Sequence, residues 1–583
     1  MSAAAPTAAV SYGRFALLVT AAAALLRLLH LAAAMRSPIT FNPGPDEDFY
    51  LRFAGQVAQG APLPIDFLFM DPLYGYLAGA LFALAGSSVF ALYALQAAVD
   101  TLTVYMLYRC GVALSAPRAG LVAAALYALS ATAILFTATA LKPTWVAAFV
   151  VGWTWLALGC LRGASPRRWL MLGLLCGLGI ALRSNLLLLG AFALAVLPAL
   201  ASSGRTGVRP LAVRTAALGA GLALVLVVLA FNNSRAGLGW TPLPFNGGIV
   251  LHHLYNVDNP QARSTYPDFV AYRHPLDIWR GYRDEAHRRL QRAAPPAEVS
   301  AYWRGEALAY IRAEPAQFVR NAVRKLGEFI AWPEVPNNRI LRQEQRYSAV
   351  LAALPSPFGW LLALGVPGLL LLARSDWRAA AVVAAPLLVC AATVMVFFAE
   401  SRFRFHAVPS LAIAGGVLVD RAWAWLVARR WREPAIYATV AAATGALSLV
   451  LAHGQAPVHR NEASREAWGF ARMGDTDRAG ALARQALAAG ESDPALHELL
   501  GFLAARGGQH REAVGHYAAA LALRPDGHAT YHSLALSLAA LDDTAAALAA
   551  IDIALAYADQ PEYRQLRSEL QARLAAPGLD PAE

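Results

Sequence analysis

The chain has 583 residues, of which 57% are apolar and only 15% are charged. A soluble domain usually has about 25% charged residues, and the mean hydropathy here is +0.43. These values exclude a single soluble domain and an intrinsically disordered chain. The formal net charge is +11, but the basic residues stand in short clusters between apolar runs, which argues against a nucleic-acid partner. The composition indicates a polytopic membrane protein with soluble parts attached.

Apolar runs long enough to cross a membrane follow one another along most of the chain. A spanning helix needs about 20 mostly apolar residues, and the sequence predicts an all-α protein with about eleven spans. The predicted spans are 15–35, 89–108, 119–138, 144–161, 169–182, 184–201, 212–231, 358–373, 379–398, 406–427 and 435–452. The apolar piece 73–86 is shorter, and we interpret it as an interfacial helix or as the first part of the second span.

Arginine clusters predict the orientation, because basic residues favour the cytoplasmic side. They fall on alternate connections between the predicted spans, namely Arg109 and Arg118, Arg162 to Arg168, Arg205 to Arg214, Arg374 and Arg378, and Arg429 to Arg432. With a cytoplasmic N-terminus, all these connections are cytoplasmic. The loop 36–72, the long segment 232–357 and the C-terminal region 455–583 then lie outside the cytoplasm.

The C-terminal region 455–583 has a period of 34 residues. Three columns show it, namely Gly474, Gly508 and Asp542, then Ala479, Ala513 and Ala547, then Leu487, Leu521 and Leu555. The pattern resembles tetratricopeptide repeats, which are helical pairs of 34 residues. We therefore predict a tetratricopeptide-like α-solenoid at 455–583, after a membrane domain at 1–454. Such a stack typically binds a peptide or a partner protein, and a structural cap for the membrane domain is the alternative.

Three consecutive acids, Asp46, Glu47 and Asp48, follow a proline in the first outer loop. One interpretation is helix capping, because acids at a helix start satisfy open backbone N–H groups and the positive end of the dipole. The other interpretation is chemical, because paired carboxylates beside a membrane can act as a base or hold a divalent metal.

Arg402 and Arg404 alternate with aromatic residues where the chain re-enters the membrane on the outer side. They either anchor the interface or recognise a phosphate, for which the guanidinium fork is well shaped. Lys142 and Arg183 lie at outer span ends in the same topology. Four cations at one membrane face can hold an anionic lipid head group. Arg27, inside the first span, has to face protein or water and not lipid.

Five motifs share one order along the chain. They are Asp46-Glu47-x-x-Tyr50, Asp71-Pro72-Leu-Tyr74-Gly-Tyr76, Gly177-Leu-x3-Leu182-Arg183-Ser-Asn185, Asn246-Gly247-Gly248 with Asn256, and Ser401-Arg402-Phe403-Arg404 followed by Pro409. In this order they resemble the GT-C superfamily of membrane glycosyltransferases over about 12–430. The nearest resemblance is to bacterial relatives of the protein O-mannosyltransferases and lipid A aminoarabinose transferases, glycosyltransferase family 39. Asn256 lacks the glycine that precedes it in the family pattern.

The resemblance implies an inverting glycosyltransferase in a bacterial inner (cytoplasmic) membrane, with its active site outside the cytoplasm, on the side where the arginine clusters place the C-terminal repeats. Such an enzyme transfers a sugar from a polyprenyl-phosphate carrier to a nucleophile on a protein, lipid or glycan. Asp46 is then the base that takes the acceptor's proton, and Glu47 orients Asp46 or the acceptor.

The resemblance also implies binding residues. The leaving group is a lipid phosphate, whose growing charge needs fixed cations. The predicted phosphate ligands are Arg402, Arg404, Lys142 and Arg183. The predicted substrate-binding residues are Tyr50, Tyr74, Asn246 and Asn256.

Two questions stay open in the sequence. Many relatives carry an acid where this chain has Lys142-Pro143, so no metal ligand is assigned, although a divalent metal is not excluded as a cofactor. The alternative functions are an O-antigen ligase or polymerase, a non-enzymatic membrane-anchored scaffold and a transporter, although the predicted spans show no obvious paired broken helices. The Asp46-Glu47 loop directly after the first span argues against the ligase, and a scaffold leaves the acids and arginines without a role.

Overall fold

The computed structural model describes residues 5–61, 63–163, 165–202, 208–270, 274–355, 358–452 and 462–575. All regular secondary structure in these residues is helical, so the predicted all-α, polytopic class is confirmed. The chain forms two compact units, the first from 1–35 and 44–457 and the second from 36–43 and 458–583. The boundary predicted at residue 454 lies outside the described residues.

The first part of the chain alternates long apolar helices with short ones. In chain order, its helices are α1 (Ala5–Ala34), α2 (Pro38–Phe41), α3 (Pro45–Ala58), α4 (Leu73–Ala85), α5 (Val89–Ala113), α6 (Pro117–Ala128), α7 (Ala131–Thr137), α8 (Pro143–Cys160), α9 (Pro166–Leu182), α10 (Leu187–Ala195), α11 (Leu197–Leu200) and α12 (Val208–Arg235). Short 3₁₀ turns stand at Ile65–Phe69 and Ser184–Leu186.

A largely polar helical segment separates these helices from a second group of long apolar ones. The helices here are α13 (Gly247–Leu254), α14 (Pro275–Leu290), α15 (Pro296–Ala313), α16 (Pro315–Ile330), α17 (Leu341–Glu344), α18 (Ala349–Ala353), α19 (Phe358–Ser375), α20 (Trp377–Val396), α21 (Ser401–Arg404), α22 (Val408–Val427) and α23 (Arg432–Ala452). A 3₁₀ turn at Phe405–Ala407 joins α21 to α22.

Among the described residues, eight helices are long and apolar enough to cross a membrane, or nine if the bent pair α6 and α7 counts as one span. The sequence predicted about eleven, and the difference lies at 169–182 and 184–201. The first of these lies in α9, which has 17 residues. The second is divided into a 3₁₀ turn, α10 and α11. The break between α10 and α11 falls at Val196, two residues before Pro198, which has no backbone N–H to donate to the preceding turn.

Arg27 is buried among the spans and paired with an acid. Its Nε donates to Asp100 Oδ2 at 2.7 Å and its Nη1 to the carbonyl oxygen of Ala128 at 3.0 Å. The Tyr127 hydroxyl donates to the other Asp100 oxygen at 2.6 Å. Both charged side chains are 0% exposed, so the prediction that Arg27 faces protein is confirmed.

This ion pair stabilises a bend in the membrane-spanning bundle. Ala128 ends α6, and the chain turns by 63° into α7. The end of a helix leaves carbonyl groups without partners, which is costly where no water can reach them. Arg27 supplies the donor for one of those carbonyl groups.

The replacement Arg27→Met is expected to destabilise the protein strongly. It leaves the Asp100 carboxylate buried without its cation, which typically costs about 3–5 kcal/mol. The matched control is Arg118→Met, because Arg118 pairs with Asp420 at 2.5 Å but is one-third exposed, and such a pair contributes about 1 kcal/mol or less. Thermal unfolding in detergent measures both. Equal melting temperatures for the two variants would contradict a structural role for the buried pair.

The second unit consists mainly of seven helices. They are α24 (Glu462–Arg472), α25 (Thr476–Ala488), α26 (Pro494–Arg506), α27 (His510–Leu523), α28 (His528–Ala539), α29 (Thr544–Tyr557) and α30 (Pro561–Ala575). Helices α25, α27 and α29 begin 34 residues apart, and so do α26 and α28. The small residue at the same place in α25, α27 and α29 is fully buried each time, at Ala479, Ala513 and Ala547. Small residues there let neighbouring helices approach closely.

The second unit also contains residues 36–43, which lie between α1 and α3 in the sequence. Asn42 Nδ2 donates to the carbonyl oxygen of Arg465 at 3.0 Å, and Arg472 Nη1 donates to that of Phe41 at 3.3 Å. Helix α2 lies so close to α24 that a Cβ atom on Gly469 would overlap the carbonyl of Pro38. Glycine is therefore required at 469 by close approach.

The replacement Gly469→Ala is expected to loosen residues 37–42. The matched control is Gly515→Ala in α27, where a Cβ atom meets nothing within 4 Å and alanine should stabilise the helix by about 0.5–1 kcal/mol. Hydrogen exchange of the Thr40 and Asn42 amides, which bond to Ser37 and Pro38, should accelerate only in Gly469→Ala. Unchanged exchange in that variant would disprove the close contact.

Candidate active site

Helix α3 carries the three acids of the first outer loop. Gly44 precedes the helix, and its N–H donates to Glu47 Oε2 at 3.0 Å in a capping box. Helix capping, one of the two interpretations of this motif, therefore describes Glu47. Asp46, one residue earlier, bonds to Arg402 and Asn338 instead.

The Asp46 carboxylate is buried and held by two side chains from distant parts of the chain. Its Oδ2 accepts a hydrogen bond from Asn338 Nδ2 at 2.7 Å and forms an ion pair with Arg402 Nη1. Burial raises the pKa of Asp46, but the charge of Arg402 and the hydrogen bonds from Arg402 and Asn338 outweigh it, so the pKa lies below the ordinary value. Asp46 is therefore ionised and has suppressed basicity.

Glu47 belongs to a separate buried ion cluster. Arg339 donates from Nε to Glu47 Oε1 at 2.6 Å and from Nη2 to Oε2 at 3.0 Å. The same guanidinium donates from Nη1 to Glu344 Oε1 at 2.6 Å. Both oxygens of Glu47 are thus occupied, and the cluster joins the start of α3 to the segment 339–344.

A second carboxylate–cation pair lies at the start of α8. Lys142 Nζ donates to Asp71 Oδ2 at 2.8 Å. Asp71 Oδ1 accepts hydrogen bonds from the Ser184 backbone N–H at 3.0 Å and from the Ser184 hydroxyl. Burial lowers the pKa of Lys142, but Asp71 and Tyr50 raise it above its ordinary value overall, so Lys142 is a fixed cation. These contacts join the start of α8, the end of α9 and the loop before α4.

Arg183 is a half-buried cation at the end of α9. Its guanidinium lies 4.1 Å from the centroid of the Phe403 ring, and its Nη1 lies 3.1 Å from His406 Nε2. Burial and the neighbouring charge of Arg402 lower the pKa of Arg183 to about 10, so it stays positive at neutral pH. Within the part of the chain that the structure describes, no carboxylate forms an ion pair with Arg183. Its charge is therefore available to an anionic ligand.

The two arginines of the 401–404 motif diverge. They lie on a helical turn, α21, and residues two apart on a helix point about 200° apart. Arg402 bonds to Asp46 and, through Nε, to Glu400 Oε2 at 2.9 Å. Arg404 is buried and donates to the carbonyl oxygens of Ala331 at 2.7 Å and of Pro333 at 2.6 Å. Arg404 thus holds the 331–334 segment, and Arg402 is the arginine beside Asp46.

Tyr50 and Tyr74 lie in the same aromatic cluster, with ring centroids 5.0 Å apart. Lys142 Nζ lies 5.4 Å from the centroid of the Tyr50 ring. The Tyr74 hydroxyl donates to Gln96 Oε1 at 3.0 Å, and both tyrosines are buried. Tyr50 therefore contacts the charged residues, whereas Tyr74 bonds to the interior of the bundle.

Asn246 and Asn256 belong to turns of the 232–357 segment. Asn256 donates to the His252 carbonyl oxygen at 2.7 Å and accepts from the Asp258 N–H at 2.9 Å. Gly248, in the Asn-Gly-Gly stretch, lies so close to α15 that a side chain would overlap the Ser300 carbonyl. Among the contacts of the described residues, none joins Asn246 or Asn256 to the charges around Asp46.

Four polar residues of the site were not predicted as site residues. Asn338 and Glu400 bond to Asp46 and Arg402, Asp71 pairs with Lys142, and Arg339 pairs with Glu47. Asp71 and Glu400 stand in or beside motifs of the sequence, which is a signal that could have identified them. Asn338 and Arg339 lie almost 300 residues from their partners, and the sequence contains no signal for these pairings.

The residues present do not form a carboxylate metal site. Among the described residues, no group of three His, Cys, Asp or Glu side chains is arranged to hold an ion. Divalent metals in such sites need several oxygen ligands, but Arg402 and Lys142 lie against the oxygens of Asp46 and Asp71. The oxygens of Asp46 and Asp71 are therefore already bonded to cationic side chains.

Part of the chain matches a known protein family. Residues 70–231 match the family of dolichyl-phosphate-mannose-protein mannosyltransferases. The match confirms the predicted resemblance to GT-C membrane glycosyltransferases. It supports a membrane glycosyltransferase. The matched residues contain Asp71, Lys142 and Arg183 of the site. A comparison with curated proteins gave no match.

Several solved structures are similar to the chain. One is the archaeal oligosaccharyltransferase AglB from Archaeoglobus fulgidus in complex with an inhibitory peptide and a dolichol-phosphate. Its sequence is 15% identical to this one, and the alignment covers 74% of this chain and 56% of that chain with a TM-score of 0.42. The same organism's oligosaccharyltransferase tethered to an acceptor peptide is 14% identical, with 74% and 55% covered and a TM-score of 0.37. Its complex with Zn and sulfate is 15% identical, with 73% and 53% covered and a TM-score of 0.40. The chain spans just over half the length of these structures.

The replacement Glu47→Gln is expected to act through stability. It removes one of the two anions that surround buried Arg339, and breaking a buried pair typically costs about 3–5 kcal/mol. Asp48→Asn is the matched control on the same helical turn, because Asp48 pairs with the exposed Arg52. The melting temperature should fall only in Glu47→Gln, whose remaining folded molecules should keep most of their turnover. An unchanged melting temperature with lost turnover would instead assign Glu47 a direct role in the reaction.

Proposed function

We propose that this protein transfers a sugar from a polyprenyl-phosphate donor to a nucleophile on an acceptor at the outer face of a bacterial cytoplasmic membrane. The observation that carries the proposal is that Asp46, an ionised carboxylate, lies in a cluster with three cations from separate elements, two of which are already paired with carboxylates. Lys142 starts α8, Arg183 follows α9, and Arg402 lies between α20 and α22. The family match at 70–231 supports the same class of reaction.

In the proposed reaction, the acceptor oxygen forms a bond to the anomeric carbon of the sugar. The bond between that carbon and the phosphate oxygen breaks, and the phosphate leaves with the electron pair. The acceptor's proton passes to Asp46, whose ionised state suits a base. A single displacement of this kind inverts the anomeric centre. Glu47 supports the reaction indirectly, because it stabilises the start of α3, which carries Asp46.

Charge stabilisation of the leaving phosphate is the second part of the proposed mechanism. Negative charge on the phosphate grows as the bond breaks, and fixed cations that are already in place lower the energy of that state. Arg183 is the strongest phosphate ligand on this argument, because it has no carboxylate partner within the described residues. Lys142 and Arg402 are already paired with Asp71 and Asp46. Each therefore stabilises the phosphate only to the extent that it leaves its carboxylate partner.

The orientation is part of the proposal. The charged cluster lies where α8 begins and where α9 ends, whereas the arginine clusters Arg162 to Arg168 and Arg374 with Arg378 stand at the opposite helix ends. Since basic connections favour the cytoplasm, the cluster would face outward. The helical pairs of the second unit would then lie outside as well and could present an acceptor or bind a partner protein.

The test is a transfer assay on purified protein with a panel of polyprenyl-phosphate sugars. Asp46→Asn keeps the shape of the side chain and removes the proton acceptor, so turnover should fall by about 10²-fold or more. Asp48→Asn is the control, because it makes the same chemical change on the same turn and leaves Asp46 intact. No transfer from any donor by the wild-type protein would reject the proposed function, and equal turnover in the two variants would reject Asp46 as the base.

A further inference from the structure

The two groups with opposite tasks in the proposed reaction are bonded to each other. Asp46 is the proposed base and Arg402 a proposed phosphate ligand, and Arg402 Nη1 forms an ion pair with Asp46 Oδ2. While this pair is closed, that edge of the guanidinium is occupied and cannot bind a phosphate. The pair also suppresses the basicity of Asp46. Neither residue can perform its task fully until the pair opens.

Arg402 has a second partner that stays with it when the pair opens. Its Nε donates to Glu400 Oε2 at 2.9 Å, and Glu400 immediately precedes the same helical turn, α21. Asp46 lies on α3, which is more than 350 residues away in the sequence. A rotation of the Arg402 side chain can therefore release Asp46 and keep the contact to Glu400.

A second cation lies next to this pair. The guanidinium groups of Arg402 and Arg183 both lie against the ring of Phe403, at 4.8 Å and 4.1 Å from its centroid. Two cations on one ring repel each other, and the charge of Arg402 adds to the effect of burial in lowering the pKa of Arg183. A phosphate group between them would relieve this repulsion and would compete with Asp46 for Arg402, since both oxyanions accept hydrogen bonds from a guanidinium group.

We propose that Arg402 couples donor binding to base activation. In the donor-free protein it neutralises Asp46, and the phosphate of the carrier lipid draws it away towards Arg183, so that Asp46 becomes a competent base only when the donor is bound. This inference rests on the proposed function, because it needs a lipid phosphate as the ligand. The coupling prevents Asp46 from taking a proton when no donor is bound. It also requires the donor to bind before the acceptor is activated.

The coupling predicts a binding result that is not expected if Asp46 acts only as a base and does not compete for Arg402. Because Asp46 competes with the phosphate for Arg402, removal of the Asp46 charge should tighten phosphate binding while it abolishes turnover. The gain should depend on Arg402. If the loss of one negative charge were the only cause, phosphate binding would tighten whether Arg402 is present or not.

The experiment is a double-mutant cycle on the full-length protein in detergent. The probe is polyprenyl phosphate, the proposed leaving group, and its dissociation constant is measured for the wild type, Asp46→Asn, Arg402→Gln and the double variant. We expect Asp46→Asn to bind about tenfold or more tightly than the wild type, and Arg402→Gln to bind more weakly. The double variant should bind like Arg402→Gln alone. Asp48→Asn, as the control, should bind like the wild type.

The outcomes separate the inference from the proposed function. If Asp46→Asn binds no more tightly than the wild type, or if its gain persists without Arg402, the coupling is wrong and the proposed function stands. If the wild-type protein neither binds polyprenyl phosphate nor transfers any sugar of the panel, both fail. Asp46→Ala carries the same expectation and replaces Asp46→Asn if the latter does not fold.

Discussion

The arrangement of this end of the membrane unit depends on the neutralisation of buried charge. Asp46 pairs with Arg402, Asp71 with Lys142, and Glu47 with Arg339. Each pair joins elements that are far apart in the sequence, and a buried charge without its partner costs several kcal/mol. The pairs therefore fix the relative positions of α3, α8, α9 and α21. The same electrostatics that stabilise the fold bring three cations together with the carboxylates of Asp46, Asp71 and Glu400, so stability and the proposed chemistry depend on the same contacts.

Asp46 and Glu47 are neighbours in one acidic motif, and the structure gives them different environments. Glu47 is the third residue of α3, from which its carboxylate reaches back to the helix start and accepts from Gly44. Asp46 precedes it and meets Arg402 and Asn338. Capping and chemistry were alternatives for the motif as a whole. Both now apply, the first to Glu47 and the second, as a proposal, to Asp46.

Much of the helical organisation could be predicted because apolar runs and arginine clusters are local signals. Asp46, Lys142, Arg183 and Arg402, which the sequence singled out, lie in one connected set of contacts. Local signals did not predict the features of the site that depend on tertiary contacts. Arg404 points away from Arg402 because the two residues lie on a helical turn, which the motif does not specify. Asn338 pairs with Asp46 although the two positions are 292 residues apart. The 184–201 run has the composition of a span, but Pro198 and the turn at Ser184 divide it.

The membership of residues 36–43 in the second unit has a consequence for biosynthesis. Asn42 bonds to Arg465, which is made 423 residues later. At a synthesis rate of about 5–20 residues per second, this interval lasts about 20–80 seconds. During that time the stretch directly before Gly44 and Asp46 is already made, but its final partner helix does not yet exist. The segment that leads into α3 can therefore reach its final packing only after the ribosome has completed α24, so a premature stop before that helix would leave an early part of the chain unfinished.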